Sequence, residues 1–139
     1  MAVTLNHLIV HCHDNGATAA FLTHILGLEA HRSLAHFAIV QVGETSLDLI
    51  ETTEPITSRH FAFLVSEQEF DAIFARICDA GLPYWADPFR KEAGRINHWD
   101  DGRGVYFDDP DGHLLEIITR PYGSGGLQAE HVNPLLIRD

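Results

Sequence analysis

Cysteine is scarce: the 139 residues hold only Cys12 and Cys78. Two thiols cannot build a disulfide framework, and one falls in a strand-like stretch and the other in a helical one, which fits a reducing, cytoplasmic setting. Positive charge is scarce as well. Nine Lys and Arg stand against 20 Asp and Glu, a net charge of −11, and that field repels phosphate backbones and anionic headgroups. Neither a nucleic-acid nor a membrane partner is expected. Long apolar runs are also missing: the longest early one, Leu8 to Val10, lies between His7 and His11 and is too short for a signal core or a membrane span. The expectation is a soluble protein with 45% hydrophobic residues, enough for one compact core. Histidine is what the chain has in surplus, with 10 residues, and that directs attention to metal-ligand spacing.

Alternation predicts a strand over Thr4 to His11, followed by Asp14 as a helix N-cap. The helix runs to about Leu26, with Ala17, Ala20, Phe21, Ile25 and Leu28 as its apolar positions and Gly27 as its stop. An extended piece near Glu29 to Ser33 and strands over His36 to Val42 and Ser46 to Ile50 complete a βαβββ half. The second half repeats the order. A strand over His60 to Val65 leads into a capping box, Ser66 with Glu69, and then a helix carrying Phe70, Ile73, Phe74 and Ile77 that stops at Gly81. A long polar stretch, Ala86 to Arg103, precedes two strands joined by Asp109-Pro110-Asp111-Gly112, whose proline and glycine sit where a tight turn needs them. His7 falls on His60 and Phe21 on Phe74 when the halves are overlaid, so an internal repeat with one enlarged loop is the economical reading. The expected organisation is a single domain over 1–122, with modules at about 4–53 and 59–122. Its tail, 123–139, opens with Gly-Ser-Gly-Gly and reads as a flexible link to a loosely docked end.

Strand parity selects the chemistry. His7, Ile9 and His11 share one face, opposite Leu8 and Val10; His60 is set apart from Phe61 and Phe63; and Glu116 shares a face with Leu114 and Ile118. An acid within Leu114-Leu115-Glu116-Ile117-Ile118 needs a cation, because burying an unpaired carboxylate costs several kcal/mol.

The paired βαβββ units, the Ile-Leu-Gly-Leu ending of the first helix and the run from Gly104 through Asp109-Pro-Asp-Gly to Glu116-Ile-Ile resemble the vicinal oxygen chelate superfamily. This group spans glyoxalase I, extradiol dioxygenases, fosfomycin-inactivating thiol transferases and bleomycin-binding proteins. The resemblance implies an α+β fold of two curved mixed sheets and a divalent metal (Fe, Mn, Zn or Ni). It also implies ligands at His7, His60, Glu116 and Asp48, which lie on the first and last strands of each half. Asp48 is open between a fourth ligand, an acceptor for a ligand histidine's N–H and a solvent-facing residue. Tyr106 matches an active-site tyrosine of the family, with packing across the hairpin as the alternative. The implied activity is that of an enzyme chelating two adjacent oxygens of a small substrate, either a lyase or isomerase or a ring-cleaving dioxygenase. One domain pair is short for the dioxygenases, which tilts the expectation toward the former. A metal-free drug- or metabolite-binding protein is the alternative, and a homodimer is expected. Arg90, Lys91, Arg95, His98 and Arg103 in the long loop offer either a cationic lid or a solvated surface. Cys12 reads as a buried small side chain, and His11, His13 and His36 as surface residues.

Overall fold

The computed structural model describes residues 2–137. Unit 1 extends to Ser58 and includes Asp109–Gly112; unit 2 comprises Arg59–Asp108 and resumes at His113. Each is a βαβββ module. In unit 1, β1 (His7–Cys12), α1 (Asn15–Leu26), β2 (Arg32–Leu34), β3 (Phe37–Val42) and β4 (Thr45–Glu51) form a sheet of order β1-β4-β3-β2. Unit 2 repeats this with β5 (His60–Leu64), α2 (Glu67–Asp79), β6 (Tyr84–Trp85), β7 (Gly104–Asp108) and β8 (Leu114–Ile118), in the order β5-β8-β7-β6. The strand before each helix pairs in parallel with the last strand of its module, and the remaining pairs are antiparallel. Between the two parallel strands of each module the chain passes through a helix and two strands, and the helix packs on one face of the sheet.

Local chemistry sets the helix ends. The Asp14 carboxylate accepts from Ala17 N at 3.0 Å, and Gly27, at φ 68°, lets the Leu28 amide reach back to Thr23 O. Ser66 Oγ accepts from Glu69 N at 3.0 Å, the first bond of the expected capping box. The buried stripe of α2 is Phe70, Ile73 and Ile77, at the expected spacing. In α1 the buried residues are Thr18, Ala19, Leu22, Ile25 and Leu26, rotated from the expected set; Ala17 and Ala20 are exposed. The helix is apolar nearly all round, so two stripes compete. The buried stripe also turns Thr18 inward, where its hydroxyl donates to Asp111 Oδ2 at 2.8 Å. His36 lies in the turn before β3 and not on the strand.

On the helix-facing sides, Val10, Leu47 and Leu49 in unit 1 and Val105, Phe107, Leu115 and Ile117 in unit 2 are buried. Each such side chain contributes about 1.5–3 kcal/mol. Cys12 is fully buried in the same layer and its thiol donates to Ile50 O at 3.4 Å. Burial, with the charges of Asp111 and Glu51 nearby, pushes this thiol up to about 12, so it stays protonated and unreactive at neutral pH. Cys78 is exposed. Native protein at pH 8 is expected to release one thiol equivalent per chain to a disulfide exchange reagent and the second only after unfolding. Two rapidly reacting thiols in the native state would refute this packing.

The tail departs from expectation. Gly123 N and Gly125 N donate to the carboxylate of Asp100 at 2.8 and 3.0 Å, and Glu130 N and His131 N to that of Asp101 at 3.1 and 2.8 Å. Its glycines serve close approach and turning, not slack: a Cβ on Gly125 would lie 2.9 Å from Asp100 Cα. Residues 138 and 139 lie outside the described residues.

Candidate metal centre

The open face of the unit 2 sheet carries the chemistry. Register places Tyr106 opposite Glu116 and Glu116 opposite Ala62, with His60 one row away opposite Leu114. Side chains of directly opposed residues share a face, so His60, Glu116 and Tyr106 converge. His60 Nε2 lies 3.2 Å from Glu116 Oε1, and the Tyr106 phenol donates to the same carboxylate. His60 and Tyr106 rings stack at 5.8 Å, and the Trp99 ring meets Tyr106 edge-on at 6.1 Å.

The donor set fits a cation. His60 Nδ1 is 2.9 Å from Leu114 O. A carbonyl only accepts, so Nδ1–H is held by Leu114 O and the ring is turned with Nε2 toward Glu116. Glu116 is 7% exposed, and burial raises its pKa, while Tyr106 and His60 oppose that rise. A ring nitrogen and a carboxylate oxygen in contact, in a buried site that disfavours a bare carboxylate, are a donor pair that a cation fits. The Tyr106 phenol is buried, and burial followed by the charge of Glu116 pushes its pKa far up. It therefore acts as a hydrogen-bond donor.

The other two expected ligands are in unit 1. His7 and Asp48 lie on one face of that sheet, since His7 is opposite Ser46 and Ile9 opposite Asp48. His7 is exposed, with Nδ1 2.7 Å from Asn6 Oδ1. Asp48 is half-buried and accepts from Ser46 Oγ at 2.8 Å, a use that the sequence reading did not foresee. Among the described residues, no three His, Cys, Asp or Glu side chains gather closely enough to hold a metal. Within unit 2, His60 and Glu116 are brought together; within unit 1, His7 and Asp48 share a strand face. Ile9 and Leu64, on the same strand faces as His7 and His60, are 53% and 60% exposed.

Two arginines of the long loop are neutralised, which removes much of the cationic lid. Arg90 pairs with Asp108, its Nε 3.3 Å from Oδ2, while its guanidinium sits 5.5 Å from the Trp85 ring centre. Arg103 is bonded to Glu67 and Asp71 and lies 4.3 Å over Phe70. Sequence reading missed Trp85. Its partner in register is Tyr106, so it extends the open face as an aromatic wall, but a two-residue strand before a charged loop gives no periodicity from which to find it.

Two βαβββ modules with a histidine–carboxylate pair on an open strand face define the vicinal oxygen chelate class. Residues 4–117 match the model of the Glyoxalase/Bleomycin resistance protein/Dioxygenase superfamily, and the chain belongs to that superfamily. Among solved structures, Oxidase ChaP-H2 is 56% identical with a TM-score of 0.88, over 91% of this chain and 100% of that one. Oxidase ChaP-H1 is 53% identical with a TM-score of 0.86, over 88% and 100%. Glutathione transferase FosA of Serratia marcescens is 28% identical over 124 residues, 84% of this chain and 81% of that protein.

Proposed function

We propose that this chain is a metal-dependent oxidase whose substrate presents two adjacent oxygens on a neutral, planar ring. The observation that carries the reading is the 3.2 Å approach of His60 Nε2 to the buried Glu116 carboxylate. His60 and Glu116 would hold the metal, with His7 as third ligand and Asp48 beside it. When bound, the metal supplies a Lewis-acid site for the paired oxygens and, if it is iron or manganese, a redox centre for dioxygen.

The rest falls to the chain's own side chains. Leu114 O fixes the His60 tautomer and ring plane. Tyr106 holds the Glu116 carboxylate by its phenol O–H and, with its pKa raised, stays protonated while doing so. Trp85 and His60 flank the buried Tyr106 ring with aromatic surface, while pairing with Asp108 leaves Arg90 little net charge for an anionic group. Such a wall favours an uncharged ring over a phosphonate. Likeness to two oxidases sharing more than half of the aligned residues supports oxidation over the lyase or isomerase alternative.

Because His7 lies in unit 1, apart from the His60–Glu116 pair of unit 2, and is exposed on a strand face, we read it as serving a site completed by a second copy of the chain, in a homodimer. Protein purified without chelators is expected to hold about one equivalent of a divalent transition metal by elemental analysis. With iron it is expected to consume oxygen with a catechol-type ring diol and not with an aliphatic phosphonate. A metal-free protein that binds such compounds unchanged would favour a sequestering role instead.

A further inference from the structure

The tail is joined to the metal-centre tyrosine through one turn. Trp99–Asp101 is a short 3₁₀ turn in which Asp100 and Asp101 both take φ 60°. Two successive non-glycine residues in the left-handed region persist only where their surroundings over-determine them. Here the tail provides those surroundings. Asp100 is 2% exposed, and its carboxylate accepts from Gly123 N, Gly125 N and Asn133 Nδ2, the last at 3.1 Å, while its own amide donates to His131 O at 2.8 Å. On the other side of the turn, Trp99 N donates to Asn97 Oδ1 at 3.2 Å, and Asn97 is buried and donates to Ala86 O. Between these two anchors the Trp99 ring rests edge-on against Tyr106, whose other flank is stacked by His60.

We propose that Asp100 is a positioning residue: by binding residues 123–133 it holds the Trp99 ring against Tyr106, and so keeps the phenol on Glu116. The tail is thereby part of the centre without touching a ligand. This rests on the metal-centre reading above, but its first test needs no metal.

Full-length chain labelled with fluorotryptophan and fluorotyrosine gives two and three fluorine resonances, from Trp85 and Trp99 and from Tyr84, Tyr106 and Tyr122. In Asp100→Asn, the Trp99 and Tyr106 resonances are expected to shift together while Trp85 and Tyr84 stay in place. If Asp100→Asn does not fold, Asn133→Ala removes only one of the three bonds to that carboxylate and is expected to give the same pattern at smaller amplitude. A Tyr106 resonance unmoved in a folded variant would overturn the proposal. Cobalt(II) titration supplies the second arm. Affinity is expected to fall about tenfold in Asp100→Asn, the scale for residues that support ligands, and to show no further fall when Asp100→Asn is added to Tyr106→Phe. An equal fall in both backgrounds would make Asp100 merely structural and overturn the proposal. Parent protein that takes up no cobalt would overturn the metal reading, while the fluorine arm still decides whether the tail positions Tyr106.

Discussion

Replacing Glu116 by alanine is expected to leave a folded chain that no longer retains a transition metal. The carboxylate is buried on the open face of β8, beside the one ring nitrogen of His60 that is not tied to Leu114 O. Without it, His60 and His7 bring no negative charge into a partly desolvated site, only Asp48 beside His7 remains as a carboxylate, and metal affinity is expected to drop by well over a hundredfold, more than the ten- to hundredfold typical of a supporting residue. Glu116→Gln separates charge from shape. It keeps an oxygen for the Tyr106 phenol to donate to and fills the same volume, so its metal-free form is expected to melt at or above the parent's temperature, because a carboxylate whose burial raises its pKa is replaced by a neutral amide. Calorimetry of the metal-free proteins and elemental analysis of each variant check both parts. A Glu116→Gln protein that holds metal as the parent does would remove Glu116 from the ligand set.

Complementation should give the second large effect. His7→Ala and Glu116→Ala chains are each expected to be metal-free, yet mixing them after mild dissociation should restore binding. In a heterodimer one site takes intact His7 from one chain and intact His60 and Glu116 from the other, and the second site has lost both. Random pairing places roughly a quarter of the sites in the repaired class. Metal content rising from near zero to about that fraction would establish the shared centre. No recovery, with parent protein sedimenting as a monomer, would show that each chain completes its own site.

Most of the architecture was legible because it is written in local signals. Asp14 and Gly27 bracket α1, Ser66 and Glu69 start α2, and Asp109-Pro-Asp-Gly112 turns β7 into β8. Each acts within a few residues, and period-two alternation then assigns faces, which is how His60 and Glu116 could be placed together. What escaped depends on partners distant in sequence. α1 offers two overlapping apolar stripes, and the buried one, Ala19, Leu22, Ile25 and Leu26, also carries Thr18, whose acceptor Asp111 is distant in sequence. A glycine-rich tail looks slack until Asp100 is seen to bind it, and Trp85 joins the site only through its register with Tyr106. Arg90 and Arg103 stay open between a lid and a solvated surface because nothing local announces Asp108, Glu67 and Asp71 as their partners.

Unit 1 is not a continuous stretch of chain, since the turn Asp109–Gly112 belongs to it and Asp111 binds both the His13 amide and the Thr18 hydroxyl. The apparent gene duplication therefore does not yield two pieces that mature in order on the ribosome. When Ser58 emerges, α1 still carries a threonine on its core face with no acceptor, and the missing carboxylate is delayed by roughly 3–11 s at ordinary synthesis rates. The N-terminal half is thus exposed to the cell in an unfinished state for seconds at each round of translation, and a gene cut at the module boundary should yield a first half that chaperones and proteases recognise.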